Sequence, residues 1–96
     1  MRAAKSDANQ SAVVAALRAV GCSVSSLHRV GDGVPDLLVG FRGVTLLLEV
    51  KDGTKRPSAR RLTPDQREWH ASWRGGTVAV VDGVEAALRV VRCVET

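Results

Sequence analysis

The chain has no tyrosine, one phenylalanine and two tryptophans among its 96 residues. Proteins that grip single strands stack successive bases on aromatic platforms, so this scarcity argues against that class. Cysteine is as sparse: Cys22 and Cys93 stand far apart and lack zinc-ligand spacing. With no export signal beside them, both are expected to be reduced, buried thiols rather than a disulfide. No apolar run approaches the ~20 residues that a membrane span needs. Residues 1–10 are polar and lack the apolar segment of a signal peptide, so an intracellular location is expected. Repeats, low-complexity tracts and linkers are missing too, and the length suits one core, so a single domain over 1–96 is expected.

What the chain does have is basic charge, unevenly placed. The formal net charge is +4, which suits a polyanionic partner. Residues 54–61 gather Lys55, Arg56, Arg60 and Arg61 with no acid among them. Pro57 and Ser58 favour a loop there. Such cations hold phosphates without reading bases, and DNA-binding is their expected role. A solvated, mobile loop is the plainer alternative.

Residues 34–51 carry the chemistry. Pro35-Asp36 opens an apolar run, Gly40-Phe41-Arg42-Gly43 makes a turn, and a second apolar run ends in Glu49-Val50-Lys51. Alternation along a strand sends Glu49 and Lys51 to one face, and Leu46, Leu48 and Val50 to the other, toward a core. An even loop sets Asp36 opposite Leu47, on the face of Glu49 and one pair away from it; an odd loop would put Asp36 on the wrong face. Charges at the ends of greasy strands are costly to desolvate unless something pairs with them. Two neighbouring carboxylates invite a cation, and hard oxygen donors suit Mg²⁺, with Mn²⁺ as a substitute. The Val50 carbonyl is a third donor. A divalent ion acidifies water, and Lys51 can orient that water or stabilise charge growing on a phosphate. Asp36, Glu49 and Val50 are therefore candidate metal ligands, and Asp36, Glu49 and Lys51 candidate catalytic residues for phosphodiester hydrolysis. A surface salt bridge between Glu49 and Lys51 is the bland alternative.

Pro35-Asp36 followed by Glu49-Val50-Lys51 resembles the PD-(D/E)XK nuclease signature. The whole chain is similar to the small stand-alone VRR-NUC (virus-type replication-repair nuclease) domains found in phages. The wider likeness takes in Gly33 to Gly40, Leu48 to Gly53, and Leu62-Thr63-Pro64-Asp65-Gln66. It implies a restriction-endonuclease-like core and Mg²⁺-dependent endonuclease cleavage of branched DNA. It also implies a homodimer acting on four-way (Holliday) junctions, and a phage or prophage source. For Gln66 the resemblance suggests an active-site role, holding the attacking water or a phosphate. The same side chain is equally suited to close a helix capping box with Thr63. One departure stands out. Many members of the superfamily carry a metal-holding glutamate on the first helix, where this chain reads Asp7-Ala8-Asn9-Gln10. Asn9 or Gln10 is a neutral substitute there, which leaves one ion or two as open alternatives.

The remaining pattern predicts alternating elements. A helix over 7–20 is capped by Asp7, buries Val13, Ala16, Leu17 and Val20, and stops at Gly21. A strand over 23–30 and a Gly31-Asp32-Gly33 turn lead into strands 35–40 and 44–51. A helix from Thr63 to about Arg74 carries Trp69 and Trp73 as core residues. An interior strand over 77–81 precedes a last helix, capped by an Asp82–Glu85 box, that buries Val84, Ala87, Leu88 and Val91. The order αβββαβα predicts an α/β fold with a mixed central sheet flanked by helices. His28 and His70 read as boundary residues, His28 also as a minor site candidate, and Asp32 as a turn former. Phe41 is expected to be exposed at the hairpin tip. Two function classes follow: a metal-dependent endonuclease, and a catalytically silent DNA-binding or assembly module that keeps the fold. Symmetric cutting of two strands needs two sites related by a two-fold axis, hence a homodimer.

Overall fold

The apolar run that ends at Glu49-Val50-Lys51 lies at the centre of the sheet, and the other elements are placed against it. A computed structural model describes residues 4–94, with side chains from residue 8 onward. The elements are α1 (Ala4–Ala19), β1 (Ser23–Ser26), β2 (Leu37–Phe41), β3 (Val44–Val50), a 3₁₀ turn (Pro57–Arg60), α2 (Pro64–Ser72), β4 (Val78–Val81) and α3 (Val84–Cys93). The strands lie in the order β1-β2-β3-β4, antiparallel across the first two pairings and parallel across β3–β4. A parallel pairing requires a crossover, which α2 supplies. The α/β class, the mixed sheet and the element order are as expected from the sequence.

Alternation explains which face is the core. Leu37 and Val39 of β2 and Leu46 and Leu48 of β3 are buried with Val13 and Leu17 of α1 and Ala87 and Val91 of α3. Glu49 belongs to the opposite face, and Gln66 of α2 reaches it there.

The hairpin is tighter than the four-residue turn read from Gly40 to Gly43. Phe41 pairs with Val44 and Leu37 with Leu48, so only Arg42 and Gly43 turn. Both have left-handed backbones, φ 52° and 83°, as a two-residue turn matched to strand twist requires. The loop is still even, so the predicted face is right. The register moves by one pair, and its next step sets Asp36 level with Glu49 instead of Leu47.

Several local expectations fail for identifiable reasons. α1 begins at Ala4, upstream of Asp7, so Asp7 does not stand before the helix; its side chain lies outside the described residues. Val20 is exposed because the chain turns away at Gly21, φ 101°. β1 stops at Ser26, and three successive left-handed residues, Gly31, Asp32 and Gly33, bend the segment that follows. β4 is an edge strand, with Val81 buried but Val80 46% exposed. The two tryptophans do not enter the core: their rings stack 4.7 Å apart, Trp73 is 42% exposed, and its indole donates to the Gly76 carbonyl at 2.9 Å. Phe41 instead packs half-buried on the core, with the Arg42 guanidinium 5.1 Å from its ring centre. Gly83, not Asp82, stands at the start of α3, with no side-chain cap. Cys22 and Cys93 are free thiols, but only Cys22 is buried.

Gly33 holds the loop before β2 against the first turn of α2. Its φ is +81°, and a β-carbon there would lie 2.3 Å from the Asp65 carbonyl oxygen. Gly33→Ala should therefore cost at least the ~1–3 kcal/mol of a strained left-handed residue. Each ~1 kcal/mol lowers the melting temperature of a domain this size by ~4–8 °C. An unchanged melting temperature would mean that the loop is not seated on α2.

Candidate functional site

The residues singled out at the end of β3 do converge. Asp36, Glu49, Val50, Lys51 and Gln66 line one cleft of about 240 Å³, together with Gln10, Asp52, Lys55 and Ala59. One water needs only ~10–15 Å³, so the cleft has room for a hydrated ion and more.

Asp36 is fixed at the mouth of β2. Its Oδ2 accepts from the Val50 amide at 2.8 Å, and its carbonyl accepts from the Leu27 amide at 2.8 Å. Glu49 is 2% exposed. Its Oε2 accepts from Gln66 Nε2 at 3.0 Å and lies 3.8 Å from Lys51 Nζ. Its Oε1 is buried and accepts from no donor among the described residues; only when protonated can Glu49 share a hydrogen bond with Asp36. Burial, then the neighbouring charge of Asp36 and a hydrogen bond shared with it, push the Glu49 carboxyl up to about 8, and Lys51 only partly offsets this. At ~4 Å, a pair of charges near a protein surface interacts by about 4 kcal/mol, so one ammonium cannot satisfy two carboxylates.

Lys51 is held from both ends. Its amide donates to the Val81 carbonyl at 2.8 Å, and its carbonyl accepts from Asn9 Nδ2 at 2.7 Å. At the tip, Nζ donates to Gln66 Oε1 at 2.8 Å. Asn9, weighed as a neutral ligand, thus serves the backbone of β3, whereas Gln10 does line the cleft.

Gln66 closes the capping box and with the same side chain reaches both charged groups at the end of β3. Its Oε1 accepts from the Thr63 amide at 2.9 Å and its own amide donates to Thr63 Oγ1 at 3.2 Å, which completes the capping box. The same carboxamide accepts from Lys51 and donates to Glu49. The cap thereby fixes the amide that orients both charged groups.

The remaining candidates part company. Lys55 lines the cleft; Arg56 and Arg61 are exposed outside it. Arg60 donates to the Asp82 carboxylate at 3.3 Å. His28 is exposed and does not line the cleft. Asp32 faces a separate depression with Asp65, Glu68 and Trp69. His70, one turn beyond Gln66, is closer to the chemistry than its boundary reading suggested. Burial and the charge of Lys51 push its imidazole below the ordinary range, and its Nε2 is buried without a partner among the described residues. The i, i+4 spacing from Gln66 is the local signal of this proximity, since it sets both side chains on one face of α2.

Among the described residues, no three His, Cys, Asp or Glu side chains cluster as a metal centre. The oxygen donors at hand are the Asp36 and Glu49 carboxylates and the Val50 carbonyl. No described helix is long and apolar enough to cross a membrane.

Neither a protein-family model nor a curated protein matches the sequence. A solved structure described as a VRR_NUC domain does match it. The two are 31% identical, with 92% of this chain and 95% of the other aligned, at a TM-score of 0.69.

Proposed function

The chain belongs to the VRR-NUC family of nuclease domains, and on that basis we propose that it is a metal-dependent endonuclease for branched DNA, with Asp36, Glu49, Lys51 and Gln66 as its working residues. The observation that carries this reading is the buried, unpartnered Oε1 of Glu49 beside Asp36. A carboxylate placed there without a cation is costly. Hard oxygen donors with spare lone pairs fit Mg²⁺ or Mn²⁺, which the Asp36 and Glu49 carboxylates and the Val50 carbonyl would hold. When bound, such an ion supplies Lewis acidity and lowers the pKa of water.

The protein's own groups do the rest. Asp36 and Glu49 set where positive charge sits. Lys51 faces the same cleft and stabilises negative charge that builds on the phosphate as its P–O bond breaks. Gln66 keeps Lys51 and Glu49 in register, so the site does not have to reorganise on binding. With all five charged, the carboxylates of Asp36, Glu49 and Asp52 outnumber the ammonium groups of Lys51 and Lys55 and leave the empty cleft negative. A divalent ion reverses that sign, so a DNA phosphate is welcome only once the ion is in place.

A silent module with the same fold would keep the charges but not turn over. Purified protein with Mg²⁺ or Mn²⁺ is expected to cut four-way junctions, flaps and nicked duplexes at measurably different rates, and to stop with chelator. Paired, symmetric nicks on the junction are the expected mark of a homodimer. No chelator-sensitive cleavage of any branched substrate would leave the silent module as the better reading.

A further inference from the structure

The four cations of residues 54–61 are not equivalent. Lys55 lines the same cleft as Asp36, Glu49 and Lys51. Its ammonium has no hydrogen-bond or ion-pair partner among the described residues. Lys51, by contrast, is already engaged by Gln66 and sits beside Glu49. Arg60 is committed to Asp82. Arg56 and Arg61 are exposed, as Lys55 is, but do not line the cleft.

The segment is also tied down at both ends, which a solvated loop would not be. Asp52 Oδ1 accepts from the Thr54 amide at 2.9 Å and its hydroxyl at 2.6 Å, and the Lys55 amide donates to the Asp52 carbonyl at 3.1 Å. Gly53 donates to the Asp82 carbonyl at 3.0 Å, and a β-carbon on Gly53 would come within 2.6 Å of that oxygen. At the far end the 3₁₀ turn closes through the Ala59 amide on the Arg56 carbonyl at 2.9 Å, and Arg60 fastens it to Asp82. The built turn therefore holds at the rim of the cleft a lysine whose ammonium has no partner among the described residues.

We infer that Lys55 is a dedicated grip for the phosphate that is cut, that Arg56 and Arg61 supply only diffuse attraction to DNA, and that Arg60 is a strut. This rests on the nuclease reading and adds to it the residue that seats the phosphodiester. An ammonium on a turn fixed at both ends offers one charge-assisted hydrogen bond to a phosphate oxygen in the cleft.

The test compares Lys55→Ala with Arg56→Ala in the full chain, on branched DNA, by two readouts. Both variants remove one positive charge, so each should lower the slope of log binding constant against log salt by about one. Only Lys55→Ala should slow the single-turnover rate at saturating DNA, by on the order of 10- to 100-fold. Lys55→Arg should recover most of that rate. A wild-type single-turnover rate in Lys55→Ala, or an equal loss in Arg56→Ala, overturns the assignment while leaving the nuclease reading intact. Wild-type protein that cuts nothing takes both down together.

Discussion

Lys51→Ala is expected to lose turnover by on the order of 10²- to 10³-fold while still binding branched DNA, because the ammonium acts on charge that grows only as the phosphodiester breaks. A second effect has to be separated from this one. Lys51 lowers the Glu49 carboxyl against the upward push of burial and Asp36. Its removal therefore also alters the hold on a cation, raising the proton affinity of Glu49 while taking away a charge that repels the ion. Measuring single-turnover rates across a Mn²⁺ titration distinguishes the two. A loss that persists at saturating metal places Lys51 at the reacting phosphate. Full recovery at high metal would reduce its role to tuning Glu49, and the proposed assignment of Lys51 to the transition state would fall. Gln66 donates to Glu49 and accepts from Lys51, so a vacated Lys51 leaves Gln66 Oε1 with only the Thr63 amide. Unaltered melting at neutral pH is the control that the cap on α2 has survived.

The meeting of Asp36, Glu49 and Lys51 was legible because each clue is local, whereas Gln66 entered only through the family resemblance. Strand alternation is a period of two, and the glycines at 40 and 43 mark an even loop, so the shared face follows from counting. The exact register did not follow, because the choice between a four-residue and a two-residue turn depends on whether Arg42 accepts a left-handed backbone, and φ 52° is a cost that sequence alone does not weigh. Asp82 illustrates a deeper gap. Followed by Gly83-Val84-Glu85, it has the composition of a helix cap, yet Arg60, 22 residues earlier, claims its carboxylate. Asn9 is similar: nothing near it in the chain predicts that it grips the Lys51 carbonyl 42 residues away. Trp73 was misplaced because helical spacing with Trp69 identifies a shared face but not what lies against it. That face meets the end of α2 and the Gly75-Gly76 turn, where a β-carbon on Gly75 would strike the indole, and not the interior.

Raising the pH should destabilise the protein without metal and strengthen its hold on a divalent ion, and both effects trace to Glu49. The folded carboxyl titrates at about 8 against an ordinary value of 4.5. The folded state therefore keeps a proton that the unfolded chain has released. By linkage, the contribution of this group to stability falls as pH climbs from the ordinary carboxylate range to about 8, and levels off above it. A cation needs the carboxylate, so binding below that pH expels the proton, and apparent affinity rises by up to about tenfold per pH unit before flattening. Melting curves at pH 5.5, 7 and 8.5, with and without Mg²⁺ or Mn²⁺, should accordingly show the metal-induced gain growing with pH. Glu49→Gln separates the causes: its amide can donate to Asp36, the buried charge is gone, and Gln66 keeps an acceptor. In that variant the metal-free protein should melt higher than wild type at pH 8.5, by ~4–8 °C for each kcal/mol of relieved strain. The metal response should vanish along with cleavage. A Glu49→Gln protein that melts lower than wild type at pH 8.5, or that still gains stability from Mn²⁺, would mean that the buried carboxylate is satisfied without a cation, and the metal-dependent reading of the cleft would have to be abandoned.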